Sequence, residues 1–139
     1  MTNRHTILVV EDDYNLMQGI RDILALQDYD VLTANNGQDG INVLQSAHNL
    51  PDLIVSDIMM PRMNGYEFYE ALRRETRWAT IPFIFLTARG EKADIRAGKS
   101  LGVDDYIIKP FSAEDLLIVI EGKLAGLEHL VAAVGQVNL

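Results

Sequence analysis

A set of polar side chains in this 139-residue chain stands at the close of apolar runs: Glu11, Asp12 and Asp13 after ILVV, Asp57 after LIVS, Thr87 after FIFL and Lys109 after YII. The residue types suggest one chemistry. Carboxylates gathered at one spot repel one another by on the order of several kcal/mol unless a cation or a bound proton relieves them. A hard cation takes oxygen ligands, and Mg2+ is the natural candidate, because it binds through one or two carboxylates and keeps several waters. Lys109 adds a point charge and Thr87 a hydroxyl, so the set describes a place for a phosphoryl group beside Mg2+. Taken singly the residues read more plainly, and Asp13 serves equally well as a helix cap. No GxxxxGK[ST] and no GxGxxG at the first strand–helix turn is present, which argues against a bound nucleotide.

These residues share a site only if the elements before them run side by side. TILVV, from Thr6 to Val10, is a near-continuous β-branched run, the mark of a strand buried on both faces. Residues 13–27 carry Leu16, Ile20, Ile23 and Leu24 at helical spacing. Residues 28–34 read as a shorter, more polar strand at an edge, and 37–47 as a helix with Ile41 and Leu44 on one stripe. A third strand covers 53–56. Asn64 is a plausible N-cap for a helix over about 65–76, striped by Tyr66, Tyr69 (or Phe68) and Leu72. IPFIFL, 81–86, is the fourth strand. A charged helix over 91–101 carries Gly98 and ends at Gly102. A short strand over 105–108 follows, then a last helix capped by Ser112 with Glu114 and Asp115 in its first turn. This alternation predicts an α/β, flavodoxin-like doubly wound (βα)5 fold, with a five-stranded parallel sheet in strand order 2-1-3-4-5. Ligands then bind beyond the carboxyl ends of the strands, at the switch point between strands one and three, and all the residues above are delivered to that same edge.

The bulk numbers narrow the class. The length suits one domain, and 48% hydrophobic content is ordinary for a globular chain. Twelve basic and twenty acidic residues give a net charge of −8, which disfavours direct binding to a nucleic-acid backbone. No cysteine is present, which fits a reducing compartment. The wholly apolar runs reach only about five residues, as at Leu116 to Ile120, against roughly 20 for a bilayer span. No cleavable signal pattern follows the polar start, so the expected location is cytoplasmic, with no membrane partner.

Four stretches, ILVVEDD, DLIVSDIMMPRMNGYEF, PFIFLTA and LGVDDYIIKPFSAEDLL, closely resemble the receiver domains of two-component response regulators over about residues 5–124. The resemblance implies a phosphorylation-dependent signalling switch that is no enzyme beyond its own phosphorylation and dephosphorylation. It implies that Asp57 accepts a phosphoryl group from a phosphohistidine of a sensor histidine kinase or a phosphotransfer protein. Asp12 would bind Mg2+ directly, Glu11 through a metal-bound water, and the Met59 backbone carbonyl would complete the protein ligands with Asp57. Thr87 and Lys109 would hold the phosphoryl oxygens. Thr87 and Tyr106 would form the switch pair, altering the surface made by the 91–101 helix, the fifth strand and the last helix. The Lys109–Pro110 bond is implied to be cis.

Two positions that tune phosphate loss in such domains are Met59 and Arg89 here. Neither is an acid or amide suited to orient water, so a phosphoryl lifetime not among the shortest is expected. Residues 125–139 read as a helical extension or a linker to a missing output domain. Leu117, Ile120, Leu124, Leu127, Val131 and Val134 follow heptad spacing. They form either a self-pairing helix or a continuation of the sheet-packing stripe, with Gly122, Gly126 and Gly135 favouring the latter. Ile118 and Val119 point to an apolar contact with a second copy or a partner, and a homodimer could form through this face or the last helix. The alternative is a phosphorylation-independent pseudo-receiver acting as a protein-binding module, although it would have little need of both Asp57 and Lys109. A haloacid-dehalogenase-like phosphatase needs a second acid where Met59 stands. A flavin site needs a small-residue loop where EDDYN stands. His5, His48 and His129 are scattered, and Trp78, Met59, Met60 and Met63 read as packing.

Overall fold

The computed structural model describes residues 4–88 and 105–137, with side chains in the last helix described through Gly126. Strands β1 (Thr6–Val10), β2 (Asp30–Ala34), β3 (Leu53–Asp57), β4 (Phe83–Ala88) and β5 (Asp105–Lys109) form one parallel sheet, ordered β2-β1-β3-β4-β5. Helices α1 (Tyr14–Leu26), α2 (Gly37–Ser46), α3 (Gly65–Arg74) and α4 (Ala113–Val137) pack around it. The doubly wound order read from the sequence is the observed one. The helix expected over 91–101, its cap Gly102 and the tuning position Arg89 lie outside the described residues.

Side chains alternate between the sheet's faces, and the two faces differ in kind. Leu8, Val10, Ile54, Phe83 and Phe85 meet Leu44, Phe68, Tyr69 and Leu72 of α2 and α3. Ile7, Val9, Leu53, Val55, Ile84, Leu86 and Ile107 meet Met17, Ile20 and Leu24 of α1 and Leu116, Ile120 and Leu124 of α4. The first side is aromatic, with ring centroids 4.9 Å apart for Phe83–Phe85 and 5.1 Å for Tyr69–Phe83. The second is aliphatic.

Helix ends follow the sequence signals, with informative exceptions. Asp13 caps α1, accepting from Leu16 N at 3.1 Å. Asn64 and Glu67 form a reciprocal capping box on α3. Ser112 and Asp115 do the same for α4, at 3.0 and 3.1 Å. β2 starts two residues later than expected because α1 closes in a Schellman turn. Tyr29 N bonds Leu24 O at 3.1 Å and Asp28 N bonds Ala25 O at 3.0 Å, with Asp28 at φ 65 in the usual glycine position. β4 also starts later, at Phe83, after a turn in which Ile81 N bonds Trp78 O at 3.1 Å. β3 and β5 each run one residue further, taking Asp57 and Lys109 into the sheet.

In α4, Ile120 and Leu124 are buried on the aliphatic face and Leu117 packs beside them, so the start of the heptad pattern is sheet-packing surface. The side chains of Leu127, Val131, Val134 and Gly135 lie outside those described. Val119 is half-buried and packs partly on the core, while Ile118 is exposed at 61%. No helix among the described residues is long and apolar enough to cross a membrane.

Candidate functional site

Register and alternation bring the polar residues together. Val10 pairs with Ser56, Asp57 with Leu86, and Ala88 with Lys109, so the carboxyl ends of β1, β3, β4 and β5 align. Glu11 N extends the β1 ladder by donating to Ala34 O at 3.1 Å. Alternation then sets Glu11, Asp57 and Lys109 on the aliphatic side of the sheet. Thr87 and Tyr106 share the aromatic side with Phe85, whose register partner is Tyr106. Asp57, Glu11 and Lys109 therefore share one face of this edge, while Thr87, expected both to hold phosphoryl oxygens and to act in the switch, lies on the other face with Tyr106.

On the chemical side, Lys109 Nζ lies 3.0 Å from Glu11 Oε1 and 3.2 Å from Asp57 Oδ2. Asp57 Oδ1 accepts from Ile58 N at 2.8 Å, and Glu11 Oε2 accepts from Asp13 N at 3.2 Å. Glu11 is fully buried and Asp57 nearly so, whereas Asp12 is exposed. Burial pushes the Glu11 carboxyl up to about 8; Lys109 pulls against this shift and Asp57 adds to it. Burial works against the Lys109 ammonium, but its bond to Glu11 and the charge of Asp57 prevail and raise its pKa above the ordinary lysine value.

Glu11, Asp12 and Asp57 each offer a carboxylate oxygen, all within 4.8 Å of one another. An all-oxygen donor set of this kind suits a hard divalent cation, which can take the place of the proton on Glu11. The residues present thus fit Mg2+. Asp13 is drawn away from this set by its capping bond. Thr87 is buried, and its Oγ1 has no hydrogen-bond partner among the described residues. Such a hydroxyl is open to a new acceptor.

The segment after Asp57 is tightly organised. Met60 and Met63 pack against the aromatic core, but Met59 is 72% exposed, which corrects its expected role in loop packing. Trp78 does pack, being buried in that core. Gly65 N donates to Ile58 O at 2.8 Å, and a Cβ on Gly65 would stand 2.4 Å from the Asp57 carbonyl oxygen. The first residue of α3 thus rests on the backbone of Asp57. Tyr106 is half-buried, with its ring centroid 6.2 Å from that of Phe85. The Lys109–Pro110 bond is cis. Beside it opens a mainly apolar groove of about 400 Å3 lined by Leu16, Ala88, Lys109, Pro110 and Phe111, which sequence reading missed because its walls come from three distant segments.

Comparison with known proteins gives a consistent result. The family described as response regulator receiver domain matches residues 7–121. A protein named "Probable transcriptional regulator ycf27" from Cyanophora paradoxa is 39% identical over 127 residues, covering 91% of this chain and 51% of that protein. The response regulator Rre1 of Synechocystis sp. is 36% identical over 121 residues, covering 86% of this chain and 52% of the relative. This chain therefore spans about half the length of these relatives. Among solved structures, the chemotaxis response regulator CheY4 of Vibrio cholerae superposes with a TM-score of 0.78 at 30% identity, covering 86% of this chain and 98% of that one.

Proposed function

The chain belongs to the response regulator receiver domain family, whose role is phosphorylation-dependent two-component signalling, and from that premise we propose that Asp57 is its phosphoacceptor. The observation that carries the assignment is the position of Lys109 Nζ between Glu11 and Asp57, at 3.0 and 3.2 Å. The donor is a phosphohistidine on a sensor histidine kinase or a phosphotransfer protein. A carboxylate oxygen of Asp57 attacks phosphorus and forms an acyl phosphate. The P–N bond breaks, its electron pair returns to the ring nitrogen, and the imidazole leaves neutral because its other nitrogen carries the proton.

Two anions must meet for this to happen. When bound, Mg2+ would neutralise charge on both; Asp12, Asp57 and the Met59 carbonyl would hold it, with Glu11 acting through water. Lys109 moves its charge to the phosphoryl oxygens as Asp57 loses its own, and the Ile58 N–H holds the carboxylate in place. Positioning and electrostatics supply most of the rate in phosphoryl transfer.

Thr87 carries the signal onward. Its hydroxyl turns to the phosphoryl group, and Tyr106, on the same face, rotates inward as Thr87 moves. Phosphorylation biases a pre-existing equilibrium between two surfaces, which involve residues 91–101, β5 and α4. A homodimer through this surface or the last helix is one readout. Transcriptional output of the kind named for the ycf27 relatives would belong to the length of those proteins that this chain does not span. The net charge of −8 disfavours contact of this chain with a nucleic-acid backbone. The pseudo-receiver alternative leaves the contact between Lys109 and Asp57 without a purpose.

Incubation with Mg2+ and a small phosphodonor, followed by intact mass measurement, tests the assignment. The wild type gains one phosphoryl group and Asp57→Asn gains none. No gain in either protein would favour the pseudo-receiver.

A further inference from the structure

We propose that Gly37, at the start of α2, is a positioning residue for the loop that follows the acceptor, setting where the Met59 carbonyl stands and so how tightly Mg2+ is held. The inference rests on the phosphoacceptor reading of Asp57 but concerns a residue on another element that touches none of the acids.

The loop is closed at its base by the Gly65 N to Ile58 O bond of 2.8 Å. Inside it, Pro61 has a ring-fixed φ. Met63 N donates to Pro61 O at 2.8 Å across Arg62, which has φ 66. That two-residue bond at positive φ is a γ-turn of the rare, strained kind, here on a residue with a long side chain. Such conformations persist where their surroundings over-determine them. The surroundings are supplied by Gly37. Its N–H donates to Met63 O at 3.2 Å, and a Cβ there would stand 2.7 Å from Met63 Cγ and 2.9 Å from Met63 O. The corner between β2 and α2 thus presses on Met63 with a hydrogen bond and leaves room for nothing larger than hydrogen. Asn64 is fixed by its capping box and Gly65 by its seat on Asp57. Among the described residues the loop's backbone hydrogen bonds fall on Ile58, Pro61, Met63 and Gly65, and none falls on Met59 or Met60. A push on Met63 is therefore taken up where the carbonyl of Met59 is set.

Gly40 provides a control on the same helix. A Cβ there would meet the Phe68 ring at 2.8 Å, disturbing the packing of α2 on α3 without touching the loop. Arg62→Gly provides the complementary test, because glycine adopts positive φ without outside support.

The Mg2+ dissociation constant is measured by calorimetry for wild type, Gly37→Ala, Gly40→Ala, Arg62→Gly and the Gly37→Ala/Arg62→Gly double variant, together with thermal stability. Gly37→Ala should weaken Mg2+ binding by about tenfold, the scale for residues acting on a metal through its ligands. At saturating Mg2+, its rate of phosphorylation by a small donor should stay within a small factor of wild type. Gly40→Ala should lower the melting temperature and leave Mg2+ affinity unchanged. The loss from Gly37→Ala should shrink in the Arg62→Gly background, a non-additivity that indicates direct coupling. Wild-type affinity in Gly37→Ala, an equal loss in Gly40→Ala, or an undiminished loss in the double variant would overturn the proposal and leave the acceptor assignment standing. A wild type that binds no Mg2+ would overturn both. Should Gly37→Ala not fold, the wild-type Gly37 amide resonance decides: it should shift with Mg2+ at the midpoint of binding, and a stationary resonance counts against the proposal.

Discussion

Lys109 Nζ stands 3.0 Å from Glu11 Oε1 and 3.2 Å from Asp57 Oδ2, so one ammonium joins a fully buried acid at the end of β1 to the acceptor at the end of β3. Lys109→Met keeps the stem and removes the charge. Phosphorylation by a small donor at saturating Mg2+ should slow by on the order of 10²-fold, the loss typical of a removed electrostatic stabiliser. The check is the initial rate of phosphoryl gain by mass; a rate within a small factor of wild type would refute the assigned role.

Glu11 links this site to pH. Burial is the largest cause of its rise from 4.5 to about 8. The folded state then holds the proton more tightly than the unfolded chain does. The stability this contributes is fully present below the unfolded value of 4.5 and is lost as pH climbs towards 8. The melting temperature of the metal-free protein should therefore fall across that window, and Glu11→Gln should flatten the slope. Mg2+ competes with the proton, so its stabilising effect should be larger at the alkaline end. An equal Mg2+ effect at both ends would contradict the linkage.

Thr87 tests the separation between chemistry and readout. Its hydroxyl is buried without a partner among the described residues, so Thr87→Val removes an unsatisfied group at nearly constant shape. Stability should hold or rise by up to about 1 kcal/mol in urea unfolding. Phosphoryl uptake should persist while the phosphorylation-induced change in the Tyr106 NMR signals disappears. A retained Tyr106 response would break the proposed link.

Asp28 offers a gain without cost to function. It occupies the left-handed position of a Schellman turn at φ 65, exposed and far along the chain from the site. Asp28→Gly should stabilise the fold by about 1 kcal/mol, since glycine adopts that conformation without Cβ conflict. Urea unfolding reads the gain, and the phosphorylation rate should not change.

Much of this was legible in the sequence because it is local. Apolar runs ending in Glu11, Asp57, Thr87 and Lys109 fixed both the strands and the residues they deliver, and period-two alternation does the rest. The boundaries that moved did so where a local turn used residues whose types do not announce it. Asp28 took a glycine's place and delayed β2, and the turn from Trp78 to Ile81 delayed β4. What stayed hidden was contact between distant segments. Nothing near Gly37 announces Met63, and nothing near Glu11 announces that Lys109 will bond it directly. The glycines at 37 and 65 matter through what lies where a side chain would be, and one-dimensional patterning carries no record of that space.

α4 runs for 25 residues, about 37 Å at 1.5 Å per residue, whereas the strands it packs on are five or six residues long and extend roughly 17–20 Å. Its anchorage on the sheet includes Leu116, Ile120 and Leu124. From there the helix continues to Val137, a further length of about 20 Å. Turning the anchored end by only about 10° would carry the far end through roughly 3 Å, a displacement that a rigid helix transmits without any change in its own hydrogen bonds. The same carboxyl edge that holds the acids feeds directly through Pro110, Phe111 and Ser112 into the fulcrum.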